Sequence, residues 1–226
     1  MAQGEDVTFD HHGTATAAYL ARPSGAGNGR TVIVVQEWWG LNEHVKDIAR
    51  RYADEGFVAL APDLYAGRIA ADAKEASALM HALAPETGVA VLKSAVDYLE
   101  HVTGVDPARI GITGYCMGGS FALLFACRDS RIKAAAPFYG DIPSDADLAH
   151  LGAPVLFIGA EKDGWITPAK IHGLAASLAK LGKPCEIKIY EGADHAFFND
   201  TRPEVYDPAA AADAWKRVTS MFQENL

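Results

Sequence analysis

A chain of 226 residues, half of them hydrophobic, can bury one large core, and a single domain over residues 1–226 is the expectation. Acidic residues outnumber basic ones, 29 to 20, the formal charge is -9, and no Lys/Arg run occurs, so nucleic acid is not an expected partner. The opening MAQGEDVTFDHHG has neither a basic nor an apolar leader segment, and no apolar run is long enough to span a bilayer; a cytoplasmic protein without membrane contact is expected.

In chain order, VTFDHHGTATAAYLARP comes first, with strand-like halves around a His-His-Gly turn and no helix between them. It predicts an antiparallel hairpin on a sheet edge. PSGAGNGR, residues 23–30, reads as a surface loop. Short, nearly continuous apolar runs then recur: TVIVVQE, FVALAPDL, RIGITGY, IKAAAPFYG, APVLFIGA and EIKIYEG. These are the runs expected of strands buried on both faces of a parallel sheet.

Helical segments separate them. HVKDIARRYADEG stops at Gly56, FALLFACR follows the third of the six runs, TPAKIHGLAASLAKLG is capped by Thr167 and opens with Pro168, and DPAAAADAWKRVTSMF repeats that opening with Asp207 and Pro208. The alternation predicts an α/β, doubly wound, mostly parallel sheet with an N-terminal antiparallel hairpin.

Cys116, Cys127 and Cys185 are too few and too scattered for a disulfide framework or a CxxC metal clamp, so each is read as a free thiol. Cys116 differs from the others in its setting. In Gly114-Tyr115-Cys116-Met117-Gly118-Gly119 an apolar strand ends, the chain turns sharply and a helix begins. This is the context of the G-x-S-x-G nucleophile elbow, with cysteine in the serine position and glycines where a Cβ would meet neighbouring backbone.

A thiol nucleophile needs a base, and His195 in EGADHAFFND follows the last strand in a loop. An acid between the two in sequence would complete the chain order of the α/β-hydrolase fold. APVLFIGAEKDGWITP offers Asp163, which lies deeper in its turn, with Glu161 as the fallback. The other seven histidines, in the hairpin turn (His11, His12) or on and beside helices (His44, His81, His101, His150, His172), read as solvated side chains. None has a partner at metal-ligand spacing, and no metal or cofactor is expected. Glu37 ends a buried strand and runs into Trp38 and Trp39, which should bring its carboxylate to the carboxyl edge of the sheet beside the elbow.

Taken together, QEWWGLN, APDLYAGR, GYCMGG, GAEKD and GADHAFFND resemble the dienelactone hydrolase (carboxymethylenebutenolidase) family over nearly the whole chain. The resemblance implies an α/β-hydrolase fold with a Cys116-His195-Asp163 triad and Glu37 in contact with the thiol. By the same resemblance, the backbone N–H groups of Met117 and Trp38 form the oxyanion hole. It further implies a resting thiol kept neutral by Glu37 until substrate displaces that carboxylate.

The family's anionic lactones are gripped by arginines, and one of those positions is Asn199 here; Arg68 and Arg202 remain as candidate substrate contacts, with Trp39 and Phe197. The expected activity is a cysteine hydrolase that opens a lactone or activated ester through a thioester, acting on a small molecule as a monomer or small homo-oligomer. A broad carboxylesterase is the alternative that Trp38, Trp39, Phe197 and Phe198 favour, and a thiol-sensing protein on the same fold is a third.

Overall fold

The computed structural model describes residues 2–25 and 27–226. Its centre is an eight-stranded sheet in the order β1-β2-β4-β3-β5-β6-β7-β8. β1 (Gln3–His11) and β2 (Thr14–Arg22) form the hairpin, and β2 joins the sheet by an antiparallel pairing with β4 (Val58–Pro62). From there β3 (Gly29–Val35), β5 (Val105–Tyr115), β6 (Ile132–Phe138), β7 (Val155–Ala160) and β8 (Cys185–Tyr190) run parallel. The chain is thus an α/β hydrolase-type fold with an antiparallel hairpin at one edge. Gly29 and Arg30 belong to β3, so the loop expected over 23–30 ends early, and its Ala26 lies outside the described residues.

Strand geometry divides the apolar side chains between two cores, because successive residues point to opposite faces. Ile33 and Val35 pack with Leu60, Ile110 and Ile112 on one side. Val32 and Val34 pack with Ala59, Ala61, Ala134 and Ala136 on the other. The first core is covered by α2 (Ala73–Ala82), α3 (Pro85–Leu99), α4 (Met117–Arg128), α5 (Asp145–Leu148) and α6 (Pro168–Lys180); α1 (Glu43–Asp54) and α7 (Pro208–Asn225) cover the second.

The caps behave as their residue types require. Thr167 accepts the Lys170 N–H at the start of α6, and Asp207 accepts those of Ala209 and Ala210 at the start of α7. Helices α2 and α3 occupy the stretch around His81 and His101, where the sequence suggests helix but marks no bounds. Gly88 inside α3 is a poor helix former, but a Cβ there would overlap the Phe121 ring of α4. Close packing of two helices outweighs roughly 1 kcal/mol of propensity.

Candidate active site

Strand β5 delivers Cys116 to the top of the sheet and α4 begins at the next residue. Cys116 holds φ 57° and ψ -120°, a conformation costly for a residue with a side chain. It is fixed by its N–H on the Phe138 carbonyl and by its own carbonyl, which accepts the N–H groups of Gly119 and Ser120. A Cβ on Gly114 would overlap the Gly118 carbonyl, and one on Gly118 would overlap the carbonyls of Val35 and Gln36. Neither glycine can be replaced without moving backbone.

The acid and histidine come from the ends of the next strands. After β7 the chain turns, Asp163 Oδ1 accepts the N–H groups of Trp165 and Ile166 at 2.8 Å each, and Oδ2 lies 2.6 Å from His195 Nδ1. The Asp163 side chain is fully buried. Burial works to raise its pKa, but the hydrogen bond and charge of His195 and the two N–H groups outweigh it, so the carboxyl is held below its ordinary range. With Asp163 on Nδ1, the Nε2 of His195 is left as the proton acceptor. Glu161, the fallback acid, points elsewhere and accepts the Gly192 N–H at 2.8 Å.

Aromatic rings flank the imidazole, with Tyr139 4.9 Å and Trp165 5.7 Å from it between centroids. Tyr139 is fully buried and holds φ 38°, and Ala196, next to His195, holds φ 65°. With Cys116 they place three of the five described non-glycine residues of positive φ at this one site. Strain of this kind persists only where the surroundings impose it.

Glu37 arrives from the end of β3. The Trp38-Trp39 turn behind it closes with the Gly40 N–H on the Glu37 carbonyl, and Gly40 is needed there because its φ is +99° and a Cβ would overlap the Arg68 carbonyl. The Glu37 carboxylate is 2 % exposed, and Asn199 Nδ2 donates to it at 2.7 Å. Burial raises its pKa more than Asn199, His195 and Arg202 lower it. The Cys116 thiol is pushed up to about 12, mainly by burial and by the Glu37 charge, while the backbone N–H groups of Met117 and Trp38 act in the opposite direction. Those two N–H groups come from different elements, Met117 from the head of α4 and Trp38 from the turn after β3.

Glu37, Trp38, Trp39, Met80, Cys116, Trp165, His195, Ala196 and Arg202 line one cleft of about 220 Å³. Two expected substrate contacts are corrected. Phe197 is 0 % exposed and packs against Tyr139 and Tyr190, because the turn after His195 directs it into the core rather than the cleft. Arg68 contributes its backbone to the wall behind Gly40, but its side chain points to solvent and pairs with Glu75 at 3.0 Å.

The histidines also need one correction. His44 is not solvated: it sits 4 % exposed on the buried face of α1, with Nδ1 3.3 Å from Asp200, and burial lowers its pKa. An amphipathic helix start turned it inward with Val45 and Ile48. Sequence reasoning passed over Trp165, Tyr139 and Met80 as parts of the site, and met Asn199 only as a position where an arginine is missing. Trp165 alone carried a signal, as a large aromatic two residues beyond the candidate acid.

Among the described residues no group of three His, Cys, Asp or Glu side chains is arranged to hold a metal ion, and no helix is long and apolar enough to cross a membrane. The three cysteines are free.

Comparison with known proteins agrees with this architecture. The model of the dienelactone hydrolase family matches residues 16–226. "Protein usf" of Aquifex pyrophilus is 37% identical over 232 residues, covering 99% of each chain. "Putative carboxymethylenebutenolidase" of Aquifex aeolicus is 34% identical over the same coverage. The crystal structure of a "Putative Dienelactone Hydrolase" from Klebsiella pneumoniae superposes with a TM-score of 0.91 at 30% identity, over 99% of each chain.

Proposed function

The chain belongs to the dienelactone hydrolase family, a family of hydrolases, and from that premise we propose that it is a single-domain cytoplasmic cysteine hydrolase that opens a lactone or activated ester through a thioester on Cys116. The observation that carries the reading is the convergence, in one cleft, of a thiol on a strained elbow and a histidine oriented by a buried aspartate, with the backbone N–H groups of Met117 and Trp38 acting to lower the thiol's pKa.

In this reading the substrate carbonyl enters the cleft and displaces the Glu37 carboxylate from the thiol. The thiol proton passes to the base, and the sulfur attacks the carbonyl carbon. Charge collects on the carbonyl oxygen, where the Met117 and Trp38 N–H groups meet it. The tetrahedral intermediate collapses, the C–O bond to the leaving group breaks, and protonated His195 supplies that oxygen with a proton. His195 then takes a proton from water, whose oxygen attacks the thioester carbonyl; the C–S bond breaks, the acid product leaves, and His195 passes the proton back to the sulfur. Asp163 holds the imidazole in the tautomer each step needs.

A thiol of raised pKa is a poor nucleophile at rest and resists oxidation, because the thiolate is the reactive form. Glu37 thereby couples activation to substrate. The test is turnover of a lactone and of an aryl ester by wild type and by Cys116→Ala. Loss of both activities in a folded Cys116→Ala protein is expected, and normal turnover would overturn the reading.

A further inference from the structure

We infer that the cleft selects uncharged, flat, apolar acyl groups, and that a substrate carrying a carboxylate is a poor one for this chain. The inference rests on the hydrolase reading and names the substrate class of the same site. It stands on three observations about charge in the cleft.

The walls are indole rings and a thioether: Trp38, Trp39 and Trp165 with Met80. A carboxylate moved from water against such walls loses hydration and needs a free cation or donors in return. Among the lining residues Arg202 is the one guanidinium or ammonium group. Its Nε already donates to Glu204 Oε1 at 2.9 Å, and Glu37 faces the same space. An incoming carboxylate could take only the Nη groups of a guanidinium whose charge Glu204 already partly offsets, and it would be repelled by both Glu204 and Glu37.

The second observation concerns the residue that holds Glu37. Its partner is the neutral amide of Asn199, 1 % exposed, whose own oxygen accepts the N–H of Thr201 at 3.0 Å and its hydroxyl at 2.6 Å. The amide is neutral, holds Glu37, and lies buried behind the cleft lining, so it offers no charge to a ligand carboxylate at the position where a cation could have stood. The third is Arg68, whose side chain is turned to solvent and paired with Glu75, outside the cleft. An uncharged enol lactone or aryl ester meets none of these obstacles and gains stacking against the indoles.

The experiment compares one lactone in two forms, 4-carboxymethylenebut-2-en-4-olide as its anion and as its primary amide, at pH 7.5 and low salt. The kcat/KM of the amide is expected to exceed that of the anion by roughly 10-fold or more. Glu204→Gln, which frees Arg202, is expected to raise kcat/KM for the anion while the amide stays near its wild-type value. Equal rates, or preference for the anion that Cys116→Ala abolishes, overturns the inference and leaves the cysteine hydrolase standing. Turnover of neither form, or turnover that survives Cys116→Ala, overturns the hydrolase reading and this inference with it.

Discussion

Asp163 Oδ2 stands 2.6 Å from His195 Nδ1, while its other oxygen is occupied by two backbone N–H groups, so the carboxylate is anchored before it orients the imidazole. The acid should therefore matter through the tautomer rather than through a proton of its own. Asp163→Asn is expected to lower kcat on the order of 10²–10⁴-fold, and His195→Ala further, since the histidine moves the proton. Steady-state rates at saturating ester decide it; a His195→Ala enzyme as active as wild type would remove His195 from the triad.

Glu37 gives a prediction about stability. Its folded pKa is raised, chiefly by burial, so the protonated form is favoured in the folded state: that contribution is present below the unfolded value of 4.5 and is lost as pH rises through the folded one. Glu37→Gln removes the buried charge and keeps an oxygen for Asn199. Its Tm should exceed that of wild type at pH 8, by about 2–4 °C for each kcal/mol gained, and the gap should close toward pH 4. Thermal melts across that range check it, and a gap that widens toward acid would contradict it.

The same charge acts on the thiol. In a Cys127→Ala/Cys185→Ala background, alkylation of Cys116 by iodoacetamide should still be rising at pH 10, where a thiol of ordinary pKa near 8.5 has levelled off. Adding Glu37→Gln removes a cause of the raised pKa and should speed alkylation at pH 8 while slowing turnover. Alkylation and turnover both unchanged would detach Glu37 from activation.

Phe197 and Trp39 separate core from cleft. Phe197→Ala should cost about 3–5 kcal/mol of stability, the range for a large aromatic lost from a core. Trp39→Ala should leave stability closer to wild type and raise KM roughly 3–10-fold, about 0.7–1.4 kcal/mol of aromatic contact. Denaturant melts and KM on one aryl ester would show both effects, and the reverse assignment would contradict the cleft described here.

Much of this was legible in the chain because the signals were local. Each parallel strand announced itself as an apolar run such as TVIVV, and the elbow's glycines sit in sequence where the turn needs them in space. The extent of α3 was hidden because Gly88 answers to Phe121, 33 positions later. Asn199 was readable only as a missing arginine, since its bond to Glu37 spans 162 residues. Phe197 and His195 share one loop, and only the backbone turn at Ala196, with φ 65°, decides which of them faces the cleft and which the core.

The most direct test of the account is to look for the acyl group on Cys116. Enzyme mixed with an excess of a slowly deacylated aryl ester, quenched in acid within the first turnover and digested, should carry that acyl group on the peptide containing Cys116. Neutral hydroxylamine should release it, as expected of a thioester, and Cys116→Ala should show none. Product formation at the wild-type rate with no acyl group on Cys116, or with the group on another residue, would contradict the account.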